Sequence, residues 1–168
     1  MSLEYLLVLI FPSLMAFAAM MDLFTMTIPN RISILLVSAF VVVAPLTGMG
    51  WGDYLVHVTT GLAVLALGVV LFAVGFLGGG DAKLLAAASL WLGFENLLQY
   101  VVLVAILGGL LSGVLLVYRG ILPPRWLTSH AWAMRLHDRT EGIPYGLALA
   151  GAALWVFPTT VWFNTVAV

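Results

Sequence analysis

Asp22 and Asp81 are carboxylates at the edges of apolar segments in a chain with few other charges. Asp22 lies in Met21-Asp22-Leu23-Phe24-Thr25-Met26-Thr27-Ile28-Pro29-Asn30, and Asp81 in Gly78-Gly79-Gly80-Asp81-Ala82-Lys83-Leu84-Leu85. A carboxylate at the boundary of a hydrocarbon span is costly and marks a functional position by default. Two of them brought together between helix ends can hydrolyse a peptide bond. The ionised carboxyl takes a proton from water while the protonated one polarises the scissile carbonyl. Close carboxyls in a low dielectric share one proton and titrate as a unit, which supplies both states at once.

Each aspartate also has a purely structural reading. Asp22 can be a helix-boundary residue or pair with Arg31, and Asp81 can cap the helix that follows it. Asp53, Glu95, Asp138 and Glu141 fit solvated connections. The glycines Gly78, Gly79 and Gly80 remove side chains directly before Asp81, so another backbone can approach, and an extended substrate segment could pair there by strand addition. Ile28-Pro29-Asn30 reads as a turn that opens a second span. Lys83, two residues beyond Asp81, points differently around a helix, where it could neutralise lipid phosphate, bias the aspartate pair or meet an acidic group on a substrate.

The elements that must position these residues follow from composition. The 168 residues are 64% hydrophobic and 8% charged, with mean hydropathy +1.18, against about 25% charged in soluble domains. We therefore expect an all-α, polytopic membrane protein forming one domain over 1–168. A net charge of −1 argues against nucleic acid, and the lack of cysteine excludes disulfides and thiol chemistry. Six apolar segments are predicted: Leu3 to Met21, Ile32 to Thr47, Tyr54 to Leu77, a short Ala82 to Phe94, Leu97 to Tyr118, and Pro144 to Phe163. The first has no basic flank and reads as a permanent span, not a signal peptide. If all six cross, Arg31, Lys83, Arg119, Arg125, Arg135 and Arg139 fall on one side, with Glu4, Asp53 and Glu95 on the other. By the positive-inside rule both termini are outside, and Asp22 and Asp81 share the cytoplasmic face.

The remaining polar and aromatic residues read as scaffolding. The 119–143 segment, broken by Pro123-Pro124 and bearing Trp126, Trp132, Met134 and Leu136, is expected to be a cytoplasmic amphipathic loop along the inner leaflet. His57 reads as a packing histidine, and His130 and His137 as headgroup contacts. Trp51, Trp91, Trp155 and Trp162 read as an outer interface belt, and Gly109 to Gly113 as a helix-packing motif.

Asp22 with Ile28-Pro29-Asn30, and Gly78-x-Gly80-Asp81-x-Lys83-Leu84-Leu85, together resemble the type IV prepilin peptidases in their short, tight-adherence (Flp-type) form. These belong to the GxGD aspartyl peptidases, with archaeal preflagellin peptidases and, more distantly, presenilin. Ile143-Pro144-Tyr145-Gly146 resembles a Pro-aromatic-Gly element of the same family. The resemblance implies an endopeptidase with Asp22 and Asp81 as catalytic pair, Gly78 and Gly80 shaping the active site, and Pro29, Asn30, Lys83, Pro144, Tyr145 and Gly146 near substrate. It implies a prepilin substrate (a short basic leader, a glycine, then an apolar helix), cleavage at the cytoplasmic face of a bacterial or archaeal plasma membrane, and no metal or organic cofactor. The long members carry an N-terminal cytoplasmic domain, often with paired cysteines, linked to N-methylation. About 20 residues precede Asp22 here and cysteine is absent, so peptidase activity without methyl transfer is expected. The competing reading is a small proton- or cation-coupled transporter using Asp22 and Asp81. Midplane carboxylates and inverted repeats would mark it.

Overall fold

The computed structural model describes residues 7–166, without the side chains of Arg125 and of 164–166. Glu4, the start of the first predicted segment and both termini lie outside the described residues. All regular structure among the described residues is helical. Helices α1 (Ile10–Thr25), α2 (Asn30–Leu46), α3 (Trp51–Ala73) and α4 (Gly79–Tyr118) are followed by the short α5 (Arg125–Thr128) and α6 (Ala131–His137). Then come α7 (Tyr145–Val156), a 3-10 turn (Phe157–Thr159) and α8 (Val161–Val166).

Helix α4 contains both the fourth and fifth predicted segments, divided at Gly93 (φ 74°, ψ 173°). That conformation is open essentially only to glycine. The chain reverses there. Gly79, at the start of the first arm, meets the Phe72 ring at the end of α3, and Gly108, in the second arm, meets Tyr145 at the start of α7. Gly93 lies instead against the His57 ring near the start of α3, and Asn96 receives a hydrogen bond from Thr159. The two arms are thus antiparallel, and the helical runs of the bundle alternate in direction between an aspartate end and an aromatic end.

A Cβ on Gly93 would lie 2.8 Å from two atoms of the His57 ring. That ring is itself fixed by Nδ1 against the Leu90 carbonyl at 2.8 Å. Gly93→Ala is therefore expected to destabilise the bundle by about 1–3 kcal/mol from backbone strain alone, with steric displacement of His57 added. Detergent-induced unfolding monitored by helical circular dichroism checks this, with Gly113→Ala, which has open space around it, as the neutral comparison.

The first arm is the core of the molecule. Ala82, Leu84 and Ala86 through Leu92 are buried among α1, α2, α3 and α7. Gly61 and Gly68 bring α3 onto this arm: a Cβ at either would stand 3.0 Å from Leu90 Cβ or 3.1 Å from Ala82 Cβ. At the aromatic end, Trp91 packs against Phe11 (5.3 Å between centroids), Phe40 (5.9 Å) and Trp162 (4.9 Å). Trp91 and Trp162 correct the expected interface belt. Both are buried, because their indole N–H groups find internal acceptors: Trp91 donates to the Leu36 carbonyl (2.9 Å) and Trp162 to the Trp91 carbonyl (2.6 Å). Trp51 and Trp155 are exposed as expected. The packing motif at Gly109 to Gly113 is also corrected. Within the chain, a Cβ on either glycine would meet nothing from another element within 4 Å, and Gly108 makes the close approach instead.

The outward surface of α3 and of the second arm is Leu, Val, Ile and Phe, including Val69, Phe72, Leu98, Ile106, Leu110 and Leu116. Trp51–Ala73 and Gly79–Tyr118 are long and apolar enough to cross a membrane. α1, α2 and the α7 region are shorter apolar helices. An apolar exposed surface of this kind suits a membrane protein.

The 119–143 segment docks on the protein more than the amphipathic expectation implied. Ala133 and Leu136 of α6 are buried, and Trp132 meets Phe24 of α1 edge to face at 5.6 Å. Arg119, Arg135 and Arg139 bond backbone oxygens. Arg119 donates to Leu136 (2.8 Å) and Gly142 (2.8 Å), Arg135 to Phe24 (2.8 Å), and Arg139 to Arg119 (3.3 Å). Carbonyls at helix C-termini lack intrahelical donors, so the Arg135–Phe24 bond closes α1. His137 packs on the Tyr118 ring at 5.1 Å, and His130 Nδ1 lies 3.0 Å from the Trp126 carbonyl. Trp126 remains exposed. Asp138 accepts from the Thr140 N–H and hydroxyl, which hold its carboxyl below the ordinary carboxylate range.

Candidate active site

Asp22 lies in the last turn of α1, where its carbonyl accepts from Met26 N–H (2.8 Å). Met26 then leaves the helix in a left-handed conformation (φ 54°), and Thr25 closes the turn by donating to the Met21 carbonyl (2.6 Å). Three residues later Pro29, extended at φ −61° and ψ 135°, precedes the first residue of α2, Asn30. Pro29 thus holds the cap position of the helix that this turn opens.

The Asp22 carboxyl is buried (5% exposed) and faces α7. Gly146 N–H donates to Asp22 Oδ2 at 2.7 Å, across 124 positions of sequence. Gly146 is the second residue of α7, so this N–H is one of the four orphan donors of a helix N-terminus, and the dipole there favours negative charge. The glycine is required sterically. A Cβ on it would stand 2.7 Å from Asp22 Oδ2 and 2.9 Å from Asp22 Cβ.

Asp81 is the third residue of α4, not its cap. Gly78 holds the cap position in extended conformation, and Gly79 and Gly80 are already helical. The expected glycine strip for strand addition is corrected accordingly: only Gly78 is extended. The three glycines serve contacts instead. A Cβ on Gly78 would stand 2.6 Å from Asp81 Oδ2, one on Gly79 3.3 Å from the Phe72 ring, and one on Gly80 3.2 Å from Ile28 Cβ. The bare N-terminus of α4 thereby lets the Ile28 turn pack directly on it.

These contacts join the two aspartate motifs. Ile28 meets Gly80, and Lys83 Nζ donates to Asn30 Oδ1 at 2.9 Å. The Asp22 and Asp81 carboxyls are within electrostatic reach of each other. Among the described residues neither has an ion-pair partner, since the nearby ammonium of Lys83 is held by a neutral amide. Pro144 precedes α7, and the Tyr145 ring packs beside Gly108, where a Cβ would meet its Cε1 at 2.6 Å. The structure thus gathers Asp22, Asp81, Gly78, Gly80 and Gly146 in one cluster, with Lys83, Asn30 and Pro29 along one margin. Gly79 and Tyr145 point to neighbouring helices.

Two contributors escape a reading of the sequence. Gly108 resembles its neighbours Gly109 and Gly113, and nothing local distinguishes it. Arg135, anchored two residues past Asp22, reads only as one of several loop arginines. Among the described residues no group of His, Asp and Glu is arranged to hold a metal ion.

The model of the type IV leader peptidase family matches residues 9–113, well over half the chain. The chain belongs to the type IV leader peptidase family. The matched region contains both aspartates, the Ile28-Pro29-Asn30 turn and the Gly78–Lys83 segment, while the α7 element that holds Asp22 lies beyond it. No curated protein and no solved structure matches. As a leader peptidase the protein is a hydrolase of peptide bonds, with prepilins as the implied substrates. Its apolar exposed helices suit a membrane-associated peptidase.

Proposed function

We propose that this leader peptidase is an aspartic endopeptidase that removes the leader of tight-adherence (Flp-type) prepilins at the cytoplasmic membrane face, without methylating the new N-terminus. Asp22 and Asp81 are its catalytic pair, one activating water and the other polarising the scissile carbonyl. The single observation that carries the reading is that two carboxyls from separate helix ends lie within electrostatic reach of each other, with no ion-pair partner for either among the described residues. A structural carboxylate is normally neutralised or solvated, whereas an acid/base pair must keep both groups unpaired. The bundle crosses the bilayer of a bacterial or archaeal plasma membrane six times, with residues 7 and 166 outside. What supports the orientation is that Arg31, Lys83, Arg119, Arg135 and Arg139 all lie toward the aspartate end.

The test is reconstitution of the purified protein in liposomes with a Flp-type prepilin. Leader loss is followed by gel shift, and the new N-terminus by mass spectrometry. Cleavage at the leader junction, leaving an unmodified amine, is the expected result. Failure to cut any of a panel of prepilins, together with aspartate-dependent proton flux across the same liposomes, would replace the peptidase with the transporter reading.

A further inference from the structure

From the aspartate end of the bundle, a groove of about 630 Å³ runs between α2 and α3 over the first arm of α4. Its walls are apolar, with Ile34, Val37 and Val41 on α2 and Leu62 and Leu65 on α3. Its floor includes Ala86 and Ala87, small enough for another helix to lie close. From Asn30 to Val41 it follows α2 for about 16 Å, three helical turns at about 1.5 Å per residue. Lys83 and Asn30 stand at the aspartate end and Tyr54 at the other.

The aspartate end of the groove carries a cation held only by a neutral group and a hydroxyl without a partner. Lys83 lies two residues beyond Asp81 on the exposed side of α4, and its ammonium has the neutral Asn30 amide as partner. Ser33, which also lines the groove, is 8% exposed and its hydroxyl has no partner. A cation and a free hydroxyl at the mouth of an apolar trough call for an anionic group carried on an apolar body. The trough opens at the aspartate end of the bundle, where Lys83 stands two residues beyond Asp81, so the residues preceding a helix that lies there would reach the end of the molecule that holds the carboxyls.

We propose that this groove seats the apolar helix of the substrate and that Lys83, with Ser33, binds an acidic side chain in its first turns. The assignment rests on the leader-peptidase reading above and names the part of the substrate that the site recognises. Lys83 is then a specificity residue: its ammonium discriminates among helices, and the apolar walls set the depth and register at which the scissile bond arrives.

The probe is a Flp-type prepilin bearing Glu in the first turns after its cleavage site, compared with its Glu→Gln variant. The wild-type enzyme is expected to prefer the acidic substrate by about tenfold in kcat/KM, and Lys83→Gln to cut both within about twofold of each other. Val37→Trp, which fills the trough away from the carboxyls, is expected to raise KM about tenfold with kcat little changed. Because the chain has no native cysteine, Val37→Cys should form a disulfide with a cysteine placed in the apolar helix of the prepilin, and Val102→Cys on the second arm should not.

Cleavage by wild type with unchanged KM in Val37→Trp and no cross-link at Val37→Cys would overturn the groove assignment. It would leave the trough to a lipid chain and the peptidase reading intact. An undiminished preference for the acidic substrate in Lys83→Gln would overturn the role of Lys83. Failure of wild type to cleave either prepilin would overturn the underlying reading as well, so the two failures are distinguishable.

Discussion

Asp22→Asn and Asp81→Asn are each expected to lower leader removal by at least about a thousandfold, and the double substitution to be scarcely worse than either single one. Residues that act as one unit lose most of their joint effect when the first is removed. In the proposed mechanism the unit is a proton shared between two carboxyls, and an amide can neither take a proton from water nor yield one to the scissile carbonyl. The substitution also separates catalysis from architecture. Asparagine is as good as aspartate at accepting from a helix N-terminus, so Asp22→Asn can keep the 2.7 Å bond from Gly146 N–H through its amide oxygen. A merely structural Asp22 would tolerate the change. The measurement is initial rate of leader loss in liposomes, with helical content and detergent stability recorded for each variant. Cleavage that survives either substitution at more than about a tenth of the wild-type rate would remove that aspartate from the mechanism.

The aspartates stood out in the sequence because a charge at the edge of an apolar segment is expensive, and this chain has few charges. The helices were legible for the same reason. An expected span at Ile32 to Thr47 becomes Asn30–Leu46, and one at Tyr54 to Leu77 becomes Trp51–Ala73. The division of α4 also follows from composition, since a lone glycine between two apolar runs is where a chain can take φ 74°. What stayed hidden is where one helix meets another. Trp91 and Trp162 look like interface residues until their indole N–H groups are seen to reach the carbonyls of Leu36 and Trp91. Whether α6 lies on lipid or on α1 depends on one ring contact and one arginine bond, to Phe24. Proximity of Asp22 to Gly146 is a contact over 124 positions. Only family resemblance marked that glycine, and resemblance gives no reason for it.

The reason is steric, and it yields the second large effect. Gly146→Ala is expected to reduce cleavage by about a hundredfold while the protein stays folded and membrane-inserted. The added Cβ would meet Asp22 Oδ2 at 2.7 Å, Cγ at 3.0 Å and Cβ at 2.9 Å. Rotation of the carboxyl relieves the first two contacts but not the third, because Asp22 Cβ is fixed by α1. The start of α7 must therefore retreat, and the Gly146 N–H withdraws from the carboxylate it orients. A displacement of about 1 Å at a catalytic group costs about 10²-fold in rate. The loss should appear in kcat more than in KM, because the substrate groove lies on the other side of α4, along α2 and α3. Gly113→Ala is the control, having nothing within 4 Å to disturb. A Gly146→Ala enzyme that cleaves at the wild-type rate would mean that Asp22 finds its catalytic position without α7, and the bond from Gly146 would then be structural only.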